Sequence, residues 1–142
     1  MNYRERLIKI INSEGPTSLD GLRRLVSLED FFTGNDDIAS IGCNLPDHPS
    51  TRFFFQKLLE IRSKAGVDDV LVGITETSED DPDPTMWPFS DRVYVVSKLP
   101  IDQIEPWFTP LRPSSVIVEV QHRRNEMTQA IEQQTAYCFW WD

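Results

Sequence analysis

Glycine is scarce in this 142-residue sequence, with six in all, and none falls in a Walker-type or dinucleotide-binding pattern. A glycine-rich phosphate cradle is therefore excluded. There is no Gly-x-Ser-x-Gly elbow, so the strained serine turn of the α/β-hydrolases is excluded too. Only two histidines and two cysteines, Cys43 and Cys138, are present. Structural zinc needs paired Cys or His at tight spacing, and here only Cys43 and His48 lie near each other. The expectation is no metal and no cofactor. With so few histidines, general acid–base work would fall on carboxylates, and no pair stands out. Ser90, Asp91 and His48 supply the residue types of a triad, but types without geometry carry nothing. No catalytic residue is assigned.

Long apolar runs are missing as well. None approaches the roughly 18 residues of a membrane span. No apolar stretch follows the charged opening Met1–Arg6. With few cysteines, the expectation is a cytoplasmic chain with free thiols.

Positive charge is in short supply. Fourteen Lys and Arg face 23 Asp and Glu, for a net charge of −9. Nucleic-acid binding rests on neutralising phosphates, so neither nucleic acid nor anionic lipid is an expected partner. A basic protein is. No Lys or Arg occurs between Leu25 and Thr51, a stretch holding Glu29, Asp30, Asp36, Asp37 and Asp47. None occurs between Ala65 and Asp91, where Asp68, Asp69, Glu76, Glu79, Asp80, Asp81 and Asp83 precede Asp91. Together they hold more than half of the acidic residues. Asp80-Asp81-Pro82-Asp83 lacks the oxygen spacing and turn glycine of a calcium loop.

What is present describes a globular domain: 39% hydrophobic and 11% aromatic residues, in a length usual for one domain spanning 1–142. Tyr3, Leu7, Ile10 and Ile11 share a helical face. Capping-box spacings at Thr17/Asp20 and Ser27/Asp30 predict two short helices, the first carrying Leu19, Leu22 and Leu25. Asn35–Pro49 reads as an ordered loop anchored by Ile38, Ile41 and Leu45. Phe54, Leu58 and Ile61 predict a helix over Ser50–Ala65, closed by Gly66.

Val70–Ile74 and Arg92–Ser97 read as interior strands, apolar on both faces. A helix over Pro100–Phe108 follows, then strands at Ser115–Val120 and Ala136–Trp141. Gln121–Gln134 reads as a loop or short helix. In Ala136–Trp141 neither alternating face suits water, so this strand is expected inside the sheet. The fold class is α+β: N-terminal helices, then β-β-α-β-β, with about four antiparallel strands covered by helices.

The segments Gly34-Asn35-Asp36-Asp37, Ser40–Leu45, Trp87-Pro88-Phe89-Ser90-Asp91 and Trp140-Trp141-Asp142 resemble a group of small bacterial single-domain proteins without an assigned activity. The likeness spans most of Ser27–Asp142 and implies no catalytic residues. Some small acidic bacterial proteins are immunity proteins of toxin systems, an analogy at the level of general type.

Two functional expectations follow. The first is a non-enzymatic protein-binding domain of immunity type. Its acidic loops, with Asp80, Asp81 and Asp83, would meet a basic protein around Trp87 and Phe89, unless those aromatics fold back onto the core. The alternative is a small-molecule site or enzyme. Its pocket would lie between the 35–49 and 87–91 loops, lined by Asn35, Asp36, Asp37, Asn44 and Ser90.

Overall fold

The computed structural model describes residues 2–13, 24–75, 86–124 and 131–142, with backbone alone at 120–124 and 131–134. Helix α1 spans Tyr3–Asn12, with the Asn2 side chain accepting from the Glu5 amide. Strand β1 is Arg24–Ser27 and runs directly into the short helix α2, Leu28–Phe32. Ser27 ends the strand and caps the helix, its hydroxyl accepting from the Asp30 amide at 3.0 Å. After a 3-10 turn at Ile38–Ser40 comes α3, Thr51–Arg62, capped by Ser50. The remaining elements are β2 (Val67–Ile74), β3 (Arg92–Ser97), α4 (Ile101–Phe108), β4 (Ser115–Arg124) and β5 (Ile131–Trp140).

The α+β class and the antiparallel sheet follow the sequence reading, and the sheet has five strands in the order β1-β2-β3-β5-β4. The fifth is β1, where the leucine spacing pointed to a helix reaching Leu25. Register explains the difference. Arg24–Ser27 pairs with Leu71–Ile74, which buries Leu25 on one face of the sheet and Val26 on the other. Pairing along an open sheet edge outweighs a weak local helix preference. The proposed cap at Thr17 and Asp20 lies outside the described residues. The polar run after Val120 is no helix on either side of 125–130: β4 continues to Arg124 and β5 begins at Ile131.

Cross-strand rows assign the faces. Val72, Val93, Phe139 and Val116 form one row, and Val70, Val95 and Tyr137 the next. These face the main core beneath the helices, with Phe31, Phe54, Leu58, Ile104 and Phe108. Phe108 stacks flat on Phe139, centroids 3.7 Å apart. On the opposite face Leu71, Tyr94 and Cys138 share a row, and Val96 pairs with Ala136. Gly73 lies in the neighbouring row because a Cβ there would sit 2.9 Å from the Tyr94 ring and 3.0 Å from Arg92.

As its two apolar faces require, the 136–140 stretch of β5 is interior, between β3 and β4. Trp141, just past the strand, is buried against Phe54 and donates its indole N–H to Leu111 O at 2.7 Å. Trp140, on the other face, is half-buried under the Arg92 guanidinium. No helix among the described residues is long and apolar enough to cross a membrane.

Candidate functional site

The 35–49 and 87–91 loops do come together, and their polar atoms are largely spent on each other. The Ser90 amide donates to Ser40 O at 2.8 Å, and Ile41 and Ser90 form a parallel bridge. The Trp87 amide donates to Asp37 Oδ2 at 3.1 Å, while Asp37 Oδ1 accepts from the Ala39 amide. Asn35 is buried: its Nδ2 donates to Phe31 O and Ser40 Oγ, and its Oδ1 accepts from the Asp37 amide. The Thr51 hydroxyl closes the network on Asn35 O at 2.7 Å. The fully buried Ser90 hydroxyl lies 2.7 Å from Gly73 O and accepts from the Arg92 amide.

These residues tie α2, the loop, α3 and the sheet into one unit. Of the proposed pocket lining, only Asp36 and Asn44 stand exposed. Trp87 is 8% exposed and belongs to the main core, and Phe89 is half-buried, so the fold-back alternative describes Trp87. Asp80, Asp81 and Asp83 lie outside the described residues.

His48 is equally committed. A backbone N–H can only donate and a carbonyl can only accept. The Ser50 amide donates to Nδ1 at 3.0 Å, so Nε2 carries the proton and donates to Ile41 O at 2.7 Å. Ser50 has φ +111°, a conformation that L residues rarely adopt, and the imidazole contact helps hold it. Cys43 is exposed, and among the described residues no three His, Cys, Asp or Glu gather as a metal site.

The far face of the sheet carries a second polar cluster. Asp91 pairs with Arg92 at 2.7 Å and accepts from the Thr75 hydroxyl. Burial, the largest influence, raises the Tyr94 phenol above its ordinary range and pushes the Cys138 thiol up to about 11. Both stay protonated at neutral pH, so Cys138 is no nucleophile.

The residues that sequence reasoning missed are apolar and exposed. Tyr3 (54%), Ile38 (54%) and Met86 (44%) are three of the five large hydrophobics exposed among the described residues. Three contacts bring them into one region. Tyr3 packs against Gly34, where a Cβ would come within 2.6 Å of its ring and φ is +75°. Arg4 Nε donates to Met86 O at 2.6 Å. Asp37, beside Ile38, holds the Trp87 amide.

Exposed Glu5 and Asp36 and half-buried Asp37 neighbour these residues along the chain, as does half-buried Arg4. Ile38 therefore does not anchor the loop inward. Within the 3-10 turn it points to solvent, and Ile41, three residues on, takes the core position. The clue in the sequence was an isoleucine directly after Asp36-Asp37, on a turn too short to bury both isoleucines.

A separate open groove of about 590 Å³ lies between α4 and the start of β4. Phe108, Phe139 and Val116 contribute apolar surface, and Asp102, Glu105 and Arg112 contribute charge. Arg112, at φ +52°, reaches away to donate to Pro46 O and Asp47 O.

The model of the Uncharacterized protein YfbO family matches residues 2–141. The Uncharacterized protein YfbO of Escherichia coli (strain K12) is 38% identical over 105 residues, covering 73% of this chain and 71% of the relative. No solved structure matches.

Proposed function

We propose, for a chain that belongs to the uncharacterized YfbO family and takes no activity from that description, a non-enzymatic domain that binds a basic protein. Its anchors are Tyr3, Ile38 and Met86, set in an acidic surround. One observation carries the reading: Tyr3, Ile38 and Met86 are each exposed, and the contacts of Tyr3 with Gly34, of Arg4 with Met86 O and of Asp37 with the Trp87 amide draw their segments together, on a chain of net charge −9. Exposed apolar residues gathered within a polar rim are what interface anchors require. The surrounding carboxylates speed encounter with a cationic partner.

The commitment of Asn35, Ser90 and His48 to the scaffold favours this reading over a polar pocket between the loops. Occlusion of a basic partner is also how an immunity protein would act on a toxin. Two free cysteines suit a reducing cytoplasm.

The test is affinity capture with the immobilised chain at low and high salt, followed by cross-linking and mass spectrometry. The expected partner is basic, elutes with salt, and cross-links around residues 34–39 and 86–90. Ile38→Asp with Met86→Asp should cut its affinity at least about tenfold, each anchor contributing on the order of 1 kcal/mol. A partner indifferent to salt and to these substitutions would sink the proposal.

A further inference from the structure

The groove between α4 and the start of β4 shares no residue with the Tyr3, Ile38 and Met86 region. Its lining sorts by position. Along one wall, Asp102, Glu105, Pro106 and Thr109 follow one another at helical spacing on α4 and the turn after it. Pro113 and Val116 line the groove as well, and Phe108, stacked on Phe139, completes an apolar middle.

The end holding Asp102 is rich in acceptors. Asp102 and Glu105 are exposed, and neither pairs with a cation among the described residues. Pro106 adds a backbone acceptor to them. Lying inside the helix, it has no amide to return to Asp102 O, four residues back. Two carboxylates and a carbonyl without its usual helical partner match an ammonium, which donates several N–H bonds and accepts none.

At the other end stands Arg112. It holds φ +52°, and its Nη2 is fixed on Pro46 O and Asp47 O. Its Nε and Nη1 carry further N–H groups. A planar cation already held in place suits a carboxylate. The neutral polar lining is largely spent: Ser115 Oγ accepts from the Trp140 indole, and Ser114 Oγ from the Asp142 amide. Recognition in this groove therefore falls on the charges.

Length decides which zwitterion fits. At a rise of ~1.5 Å per residue, Asp102 and Thr109 lie about 10 Å apart along the helix, and Arg112 follows beyond. An α-amino acid carries both charges on one carbon and cannot reach both ends. Three extended residues span about 10 Å. We infer that the groove binds a short apolar peptide with free termini, its ammonium at Asp102 and Glu105 and its carboxylate at Arg112. The apolar side chains lie on Pro106, Pro113 and Val116. The volume of about 590 Å³ suits such a ligand, since small-molecule sites run from roughly 300 to 1,000 Å³.

The probe is alanyl-leucyl-alanine, titrated into the isotope-labelled full chain and followed by amide chemical shifts. Saturable shifts at amides around the groove are expected. Acetylating the peptide amine, or converting its carboxylate to an amide, should each weaken binding about tenfold, the effect of one lost charge-assisted contact. Leucine alone should not bind.

Asp102→Asn with Glu105→Gln should weaken the free peptide about tenfold and leave the acetylated one unchanged, with the thermal melt retained. Arg112 also clamps the 46–47 loop, so its end is tested by the amidated peptide, which leaves the fold untouched. Groove amides that do not shift with the free peptide, or equal affinity for the free and capped peptides, overturn the proposal.

Discussion

Two cysteines that look alike in the sequence live in opposite surroundings. Cys43 is exposed, whereas Cys138 is fully buried in the row between Tyr94 and Ile117, with its thiol pushed up to about 11 by burial. Alkylation of the native protein at mildly alkaline pH should therefore add one label, at Cys43. A second should appear at Cys138 only when denaturant opens the sheet. Intact-mass and peptide mapping check this, and native labelling of Cys138 would show that the sheet opens locally. That Cys138 would be a buried small hydrophobe was readable from its place mid-strand. The roles of Asn35, Asp37 and Ser90 were not. Polar residues in a loop look the same in sequence whether they face a ligand or satisfy backbone groups of a neighbouring loop. Only the pairing of Ile41 with Ser90 decides between the two.

The elements legible in the sequence were those whose apolar period survives tertiary packing. α3 shows its stripe of Phe54, Leu58 and Ile61, and β3 its continuous apolar run Val93-Tyr94-Val95-Val96. β1 was hidden because four residues hold too few periods to separate strand from helix, and its identity comes from pairing with β2. The length of the β4–β5 hairpin was hidden because its outer part carries little apolar pattern. β5 shows how much one element can hold. Trp141, set just past it, fills the main core against Phe54 and bonds Leu111. Trp141→Ala should cost about 3–5 kcal/mol, read as a lowered denaturant midpoint with an unchanged slope. Removing Tyr137–Asp142 should abolish the cooperative melt seen by circular dichroism. A truncated chain melting near the parent temperature would contradict the central place of β5.

At the scale of the whole molecule, charge and exposed apolar surface are arranged separately. The deficit of basic residues from Leu25 to Thr51 and from Ala65 to Asp91 was visible in the sequence, and so was the prospect of a basic partner. The position of the apolar anchors was not, because Tyr3, Ile38 and Met86 meet only through tertiary contacts. If the partner is drawn in by long-range charge, replacing Asp80, Asp81 and Asp83 with Asn should slow association and flatten its salt dependence. The dissociation rate should change little, as surface plasmon resonance can follow. An unchanged association rate would place the attraction elsewhere on the chain. The strand order β1-β2-β3-β5-β4 has a further consequence, for biosynthesis. A ribosome delivers β3 and β4 before β5, yet β5 belongs between them. Until Ala136–Trp140 has emerged, the nascent chain holds two strands with a vacant lane between them and no means of closing it. Folding of this sheet is thus a late event in translation. A message cut short anywhere before that lane is filled should yield a product that chaperones hold and proteases clear.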